Sequence, residues 1–363
     1  MEMSKERRVT AGTESLIPIF DGHNDTIMKI RDGSTKFFEE NEGGHIDLPR
    51  AKRGGLAGGF FAVWVPDKAV HVDPDDPNTS AYSDASKLPP MMGTEWAQNY
   101  ALSSLGLLLK LEKESNGEVA IVRTASELTS AIENGKFAVE LHLEGAEPID
   151  AELNSLPVWY AAGVRSIGLV WSRTNVFAHG VPFKFGTTPD TGPGLTDAGV
   201  ALVRACNELG IMLDVSHLNE AGFWDVAKYS DAPIVATHSN AWAIAPSTRN
   251  LTDKQLDAIK ESDGVVGVNF HIGFLNRDGS ADPANTTVAI MADHTAYLAE
   301  KLGIDRVALG SDYDGALMAG DLKDAAGLPL LVAELRTRGF DDASLRKIGY
   351  ENWVRVLGKT WKA

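Results

Sequence analysis

The sequence predicts an α/β fold, a (β/α)8 barrel. Three observations carry that prediction. Eight short apolar runs recur along the chain, helical patterns separate them, and polar residues gather directly after the runs. Near-continuous apolar runs are what strands buried on both faces require. Strand–helix alternation implies parallel pairing through crossovers. Eight such strands suit closure into a barrel. The competing arrangement, an open doubly wound sheet, would carry G-x-G-x-x-G after its first strand, and this chain does not.

The predicted strands, in order, are Ile17–Phe20, Gly59–Val65, Phe137–His142, Ser166–Trp171, Met212–Val215, Ile234–Thr237, Val265–Phe270 and Arg306–Leu309. Predicted helices lie between or after them. Trp96–Leu111 carries a broad apolar face, and Thr196–Leu209 begins on a Thr that can cap it. Thr252–Ile259, Ala289–Leu302 and Leu328–Arg338 complete the set. Residues 1–16 read as an N-terminal extension and residues 17–363 as one barrel domain. Two irregular stretches follow strands directly: Val65–Met92, rich in Pro, Asp and Ser, and Phe177–Pro193, rich in Gly, Pro and Thr. Both are expected at the C-terminal rim, where long loops shape substrate pockets or subunit contacts.

Composition excludes several classes. The net charge of −16 disfavours nucleic acid and anionic membrane surfaces as partners. Cys206 is the single cysteine, so an intrachain disulfide and a cysteine-rich zinc site are both ruled out. It falls in a predicted amphipathic helix and reads as a small core residue. No apolar run is long enough for a membrane span, and Met1–Ser15 lacks the apolar core of a signal peptide. A cytoplasmic setting is the simplest expectation.

The chemistry sits at strand ends. His23 and Asp25 follow the first strand in Asp21-Gly22-His23-Asn24-Asp25. Glu144 follows the third in His142-Leu143-Glu144-Gly145, and His217 the fifth in Asp214-Val215-Ser216-His217. His238 follows the sixth in Thr237-His238-Ser239, and Asp312 the eighth in Gly310-Ser311-Asp312-Tyr313-Asp314-Gly315. A barrel brings all these ends to one rim.

Residues two apart on an extended segment share a face, so His23 and Asp25 can grip one cation. His217 and His238 can grip a second, and Glu144 has two oxygens to bridge them. Imidazole and carboxylate ligands without thiolate suit Zn2+, with Mn2+ or Co2+ as substitutes. Two such ions would lower the pKa of a shared water and supply hydroxide near neutral pH. Asp312 reads either as a ligand or as the group that takes the water's proton and passes it to the leaving amine. Asp314 reads as structural. Arg249, in Ser247-Thr248-Arg249-Asn250, can fork onto a carboxylate. His271 and His179 are further candidates for substrate contact. His142 reads as structural, and His45, His71 and His294 as loop or surface residues.

As an ordered set these motifs resemble the membrane dipeptidase (renal dipeptidase) family, peptidase family M19 of the amidohydrolase superfamily. Asn269-Phe270 and Arg249-Asn250 belong to the same set, and the resemblance runs from about Ile17 to Val356. It implies a (β/α)8 barrel with two zinc ions at the C-terminal face. It makes His23 and Asp25 ligands of one zinc, His217 and His238 ligands of the other, and Glu144 the bridge. It gives Asp312 the proton, Arg249 the substrate's terminal carboxylate, and the chain the hydrolysis of L,L or L,D dipeptides. It also implies a homodimer. Two positions depart from the mammalian pattern. Trp171 stands where those members have a substrate-binding His, and His271 where they have Tyr. An indole donates one hydrogen bond but cannot become cationic. Arg173 or His179 could supply the lost donor.

Three functional readings follow: a zinc dipeptidase, an amidohydrolase acting on N-acyl amino acids or a small amide or lactam, and a barrel that binds metal without turnover.

Overall fold

In a computed structural model, residues 16–67, 82, 86 and 88–362 are described. Residues 1–15, most of the Val65–Met92 stretch and His71 lie outside them.

Nine strands form one parallel sheet: β1 Ile19–Asn24, β2 Leu56–Trp64, β3 Val119–Ile121, β4 Phe137–Glu144, β5 Val164–Gly168, β6 Met212–Asp214, β7 Val235–Ala236, β8 Val265–Val268 and β9 Val307–Leu309. Eight of them run in the order β1-β2-β4-β5-β6-β7-β8-β9, and β3 pairs only with the outer part of β4. The ring closes beyond β9. Asp312 N donates to His23 O at 2.9 Å, and Asp25 N donates to Tyr313 O at 2.8 Å. All eight predicted strands are present, with ends shifted by up to four residues. β3 is the one that sequence reading passed over.

Helices cover the outside, as apolar strand faces on both sides require. Each predicted helix is present, at Thr94–Glu114, Asp197–Leu209, Asp253–Glu261, Val288–Leu302 and Leu328–Thr337. Thr196 caps its helix by accepting from Gly199 N, and Thr252 with Gln255 forms a full capping box. Helices at Thr26–Asp32, Leu48–Gly54, Ala125–Glu133, Leu156–Ala162 and Glu220–Tyr229 fill the remaining crossovers. No helix among the described residues is long and apolar enough to cross a membrane.

The barrel interior is packed differently along its length. Phe20, Phe60, Met212, Val235, Val265 and Ala308 fill one end, together with Trp353 from the final helix. Midway, the carbonyl of Thr237, directly after β7, intrudes. A Cβ on Gly267 or Gly310 would stand 2.0 or 1.9 Å from that oxygen, so only glycine fits there. Glu140 and Ser166 stand in register with Phe60 and Met212, and His142, Asp214 and Thr237 follow toward the mouth, all buried.

Candidate metal centre

Glu144 ends β4 and stands at the centre of the mouth. Its Oε2 lies 3.6 Å from His23 Nε2, and its Oε1 lies 3.2 Å from His217 Nε2 and 3.7 Å from His238 Nε2. His23 Nε2 is also 3.6 Å from Asp25 Oδ2. The His23 and His238 rings stack with centroids 3.8 Å apart. Two groups of possible ligands result, Glu144/His217/His238 and His23/Asp25/Asp312. The five residues predicted as metal ligands are thus together, each less than 6% exposed. The backbone at His217 and Asp312 is left-handed, with φ of 68° and 64°. Such strain costs ~1–3 kcal/mol per residue and concentrates where a side chain must be aimed.

A third group, His23/Asp214/His238, also satisfies simple distance limits. Asp214 is not free to join it. Its Oδ1 accepts from Ser216 N and Thr237 N, and its Oδ2 accepts from Thr237 Oγ1 at 2.6 Å.

The electrostatics fit a cation. His217 and His238 Nε2 approach to 3.1 Å. Burial, with Arg249 close by, pushes His217 down to about 4, and burial with the His23 charge holds His238 well below the usual imidazole range. Two neutral imidazoles with lone pairs turned on one spot are a metal-binding motif. Burial would also lower His23, but the Glu144 and Asp25 carboxylates reverse this and hold it well above its ordinary value. Burial would raise Glu144, yet His23 and the hydrogen bonds from His217 and His23 hold it well below the carboxylate range. Asp25 is pushed up to about 7, first by burial. Neither ring nitrogen of fully buried His23 has a hydrogen-bond partner among the described residues. A buried imidazole facing two carboxylates with no donor or acceptor satisfied calls for a positive ion, and a metal competes there with the proton.

Asp312 is half-buried at the rim, and Asn269 Nδ2 donates to its Oδ2 at 3.0 Å. Asn269 Oδ1 in turn accepts from His271 N at 2.6 Å. Arg249 is 3% exposed, and its guanidinium lies 5.4 Å above the Phe274 ring. Its Nη2 donates to His238 O at 3.3 Å, its Nε has no partner, and no carboxylate among the described residues forms an ion pair with it. Burial pulls this guanidinium down to about 10. Asp314 binds away from the centre, accepting from Thr26 Oγ1 and His45 N.

An aromatic wall closes one side. Trp171 packs edge-on against Trp64, Tyr82 and Phe183, and lies 5.9 Å from the His217 ring. Phe183 reaches Phe274, which meets His271 at 4.5 Å. His271 is therefore at the site's edge, buried beside Phe274.

This architecture has a family. A family model described as membrane dipeptidase (peptidase family M19) matches residues 7–363. The chain belongs to that family. Several relatives share most of this M19 chain's length. A Rhodobacter sphaeroides metallo peptidase, solved with a phosphinate mimic of the dipeptide L-Ala-D-Ala, is 46% identical. It superposes with a TM-score of 0.91 over 96% of this chain and 100% of its own. The Klebsiella pneumoniae protein in the pqqA 5′ region is 46% identical over 71% of this chain and 95% of its own. Dipeptidase verJ of Clonostachys rogersoniana is 28% identical over 94% and 84%. Membership makes the M19 chain a metal-dependent dipeptidase of barrel fold.

Three expectations need correction or extension. Arg173 is fully buried and held by Glu147 and Val65: its Nε donates to Glu147 Oε1 at 2.8 Å and its Nη2 to Val65 O, which leaves Nη1 without a partner among the described residues. His179 is half-buried on the neighbouring loop, with Nδ1 3.2 Å from Thr174 Oγ1. His294 is not a surface residue. It is fully buried in its helix, its Nε2 lies 3.0 Å from Leu275 O, and its Nδ1 accepts from Ala241 N. Sequence reading also missed the groups behind the imidazoles. Ser172 Oγ lies 2.8 Å from His217 Nδ1, and Thr237 Oγ1 lies 2.8 Å from His238 Nδ1. A charged Asp214 inside the apolar run Met212-Leu213-Asp214-Val215 was the available signal.

Proposed function

We propose that the chain hydrolyses the amide bond of small dipeptides bearing a free C-terminal carboxylate, with two Zn2+ ions held at the barrel mouth. The observation that carries this reading is the convergence of five buried side chains of ligand type beside a buried arginine that has no ion-pair partner among the described residues. His23 and Asp25 would hold one ion, His217 and His238 the other, and Glu144 would serve both through its two oxygens. Bound there, the pair would acidify a water and polarise the scissile carbonyl.

The chain's own residues supply the rest. Arg249 fixes the substrate by its terminal carboxylate, since a buried guanidinium with no ion-pair partner among the described residues gains most from a bidentate anion. Asp312 is placed to accept a proton at Oδ1 while Asn269 holds Oδ2, and to return it to the leaving amine. Trp171, Phe183 and Phe274 exclude water and form an apolar surface for a substrate side chain; His271 borders the same space. Mn2+ or Co2+ satisfies the same nitrogen and oxygen donors. A cytoplasmic location and a homodimer belong to this reading and rest on the sequence and the family resemblance.

The wall favours a second reading. Its rings offer no carboxylate to hold a free ammonium group, so an N-acyl amino acid anchored at Arg249 also suits the site. Metal analysis with a panel of L,L and L,D dipeptides, C-terminally amidated dipeptides and N-acyl amino acids tests both. The first reading predicts turnover of free dipeptides, none of amidated ones, and loss with chelator. Turnover confined to N-acyl amino acids would replace it with the second. Full activity after rigorous metal removal would end both.

A further inference from the structure

Thr237 Oγ1 lies 2.6 Å from Asp214 Oδ2 and 2.8 Å from His238 Nδ1. Asp214 is itself fixed, because Oδ1 accepts from two backbone amides, Ser216 N at 2.9 Å and Thr237 N at 2.8 Å. His142 Nε2, at 3.8 Å, is outside hydrogen-bond reach. A carboxylate has no proton to give, so the Thr237 hydroxyl must donate to Asp214. The hydroxyl oxygen then has only lone pairs to offer His238, and the imidazole proton must sit on Nδ1. Nε2 is left bare, and Nε2 is the atom that faces Glu144 and His217.

We propose that Asp214 and Thr237 are positioning residues that fix the tautomer of His238 and so keep its Nε2 open to a cation. The proposal rests on the reading of His238 as a metal ligand. It also separates two roles for Asp214. Proximity alone would make Asp214 a direct ligand, whereas its hydrogen bonds make it act through Thr237. Outer partners of this kind are worth ~10–100-fold in metal affinity.

The geometry predicts an inversion. In Asp214→Asn the amide oxygen stays on the two backbone donors, and the amide nitrogen faces Thr237. The hydroxyl must now accept from that nitrogen and donate to His238 Nδ1. The imidazole proton moves to Nε2 and blocks the ligand atom. Thr237→Val removes the relay without reversing it, and Thr237→Ser restores it.

Two measurements test this. Imidazole 15N NMR of metal-free protein reports the tautomer, with the His238 signal assigned by its loss in His238→Gln. His23, which lacks partners on both nitrogens, is the internal control. Zn2+ affinity is read by competition with a chromophoric chelator. The expected result is Nδ1–H in the parent and in Thr237→Ser, and Nε2–H in Asp214→Asn. Zn2+ binding should weaken ~10–100-fold in Thr237→Val and further in Asp214→Asn. Nε2–H in the parent, or an unchanged tautomer in Asp214→Asn, would overturn the proposal. If Asp214→Asn does not fold, equal Zn2+ affinity in Thr237→Val and Thr237→Ser would overturn it. A tautomer switch with unchanged Zn2+ affinity would instead overturn the ligand role of His238 on which the proposal depends.

Discussion

The two ends of the barrel are built from the same strands and filled in opposite ways. β1 supplies Phe20 to one end and His23 to the other; β6 supplies Met212 and Asp214; β8 supplies Val265 and leads into Asn269. The Phe20 end is largely apolar and plugged by Trp353. The His23 end is polar, carries left-handed backbone at His217, Asp312 and Asp314, and leaves buried nitrogen atoms unsatisfied. The difference teaches where stability and function reside. Burial at the Phe20 end holds the barrel shut, and that rigidity keeps costly polar groups in place at the mouth.

The sharpest way to break this comparison is at Asp312. Asp312→Asn should reduce kcat by ~10²–10⁴ while the metal content and thermal midpoint stay near the parent's. A matching loss of metal would make Asp312 a ligand and erase its separate role. At the opposite end, Trp353→Ala should cost ~3–5 kcal/mol in denaturant unfolding, because a fully buried indole packed under Gly22 and Phe60 leaves a cavity. The folded fraction should keep its kcat. A kcat loss as large as that of Asp312→Asn would show that the two ends are not separable.

Arg249→Ala should lower kcat/KM by ~10–150-fold, chiefly through KM, the worth of one charged hydrogen-bonded contact. Arg249→Lys should not restore it, since an ammonium lacks the planar fork. Unchanged kinetics would remove Arg249 from the substrate's carboxylate.

The smallest effect concerns pH. His294 packs outside the mouth, and burial lowers it from 6.5 to about 4. Between those values the unfolded chain binds a proton that the folded chain does not, so its contribution to stability is complete above about 6.5 and is lost as pH falls toward about 4. Glu140, inside the barrel, behaves oppositely. Burial raises it to about 8, so the folded chain keeps a proton that the unfolded chain gives up. That contribution is lost as pH rises through about 8. Glu140→Gln should therefore remove the loss of stability that builds as pH rises from 4.5 to about 8, and His294→Gln the loss that builds as pH falls from 6.5 to about 4. Parallel curves for parent and variants would contradict both assignments.

Much of this was legible in the sequence for a physical reason. Barrel strands are buried on both faces, so runs such as Val265–Phe270 and Met212–Val215 stand out as mostly apolar, and the candidate site residues fall at or directly after such strand ends. What was not legible depends on distance in the fold. β3 is three residues long and pairs on one side only, too short to leave a pattern. Leu156–Ala162 has two helical turns and opens on a proline, and so reads as a loop. Thr237 resembles any β-branched strand residue until Asp214, 23 residues away, is placed beside it. His294 was misread because its charge suggested solvent, although its helix also buries Met291, Thr295 and Leu298 on that face.

The most direct test is anomalous diffraction at the zinc edge from crystals grown with Zn2+. The account predicts two peaks flanking Glu144, one within bonding distance, about 2 Å, of His23 and Asp25, the other within the same distance of His217 and His238. A single peak, or peaks away from Glu144, would contradict it.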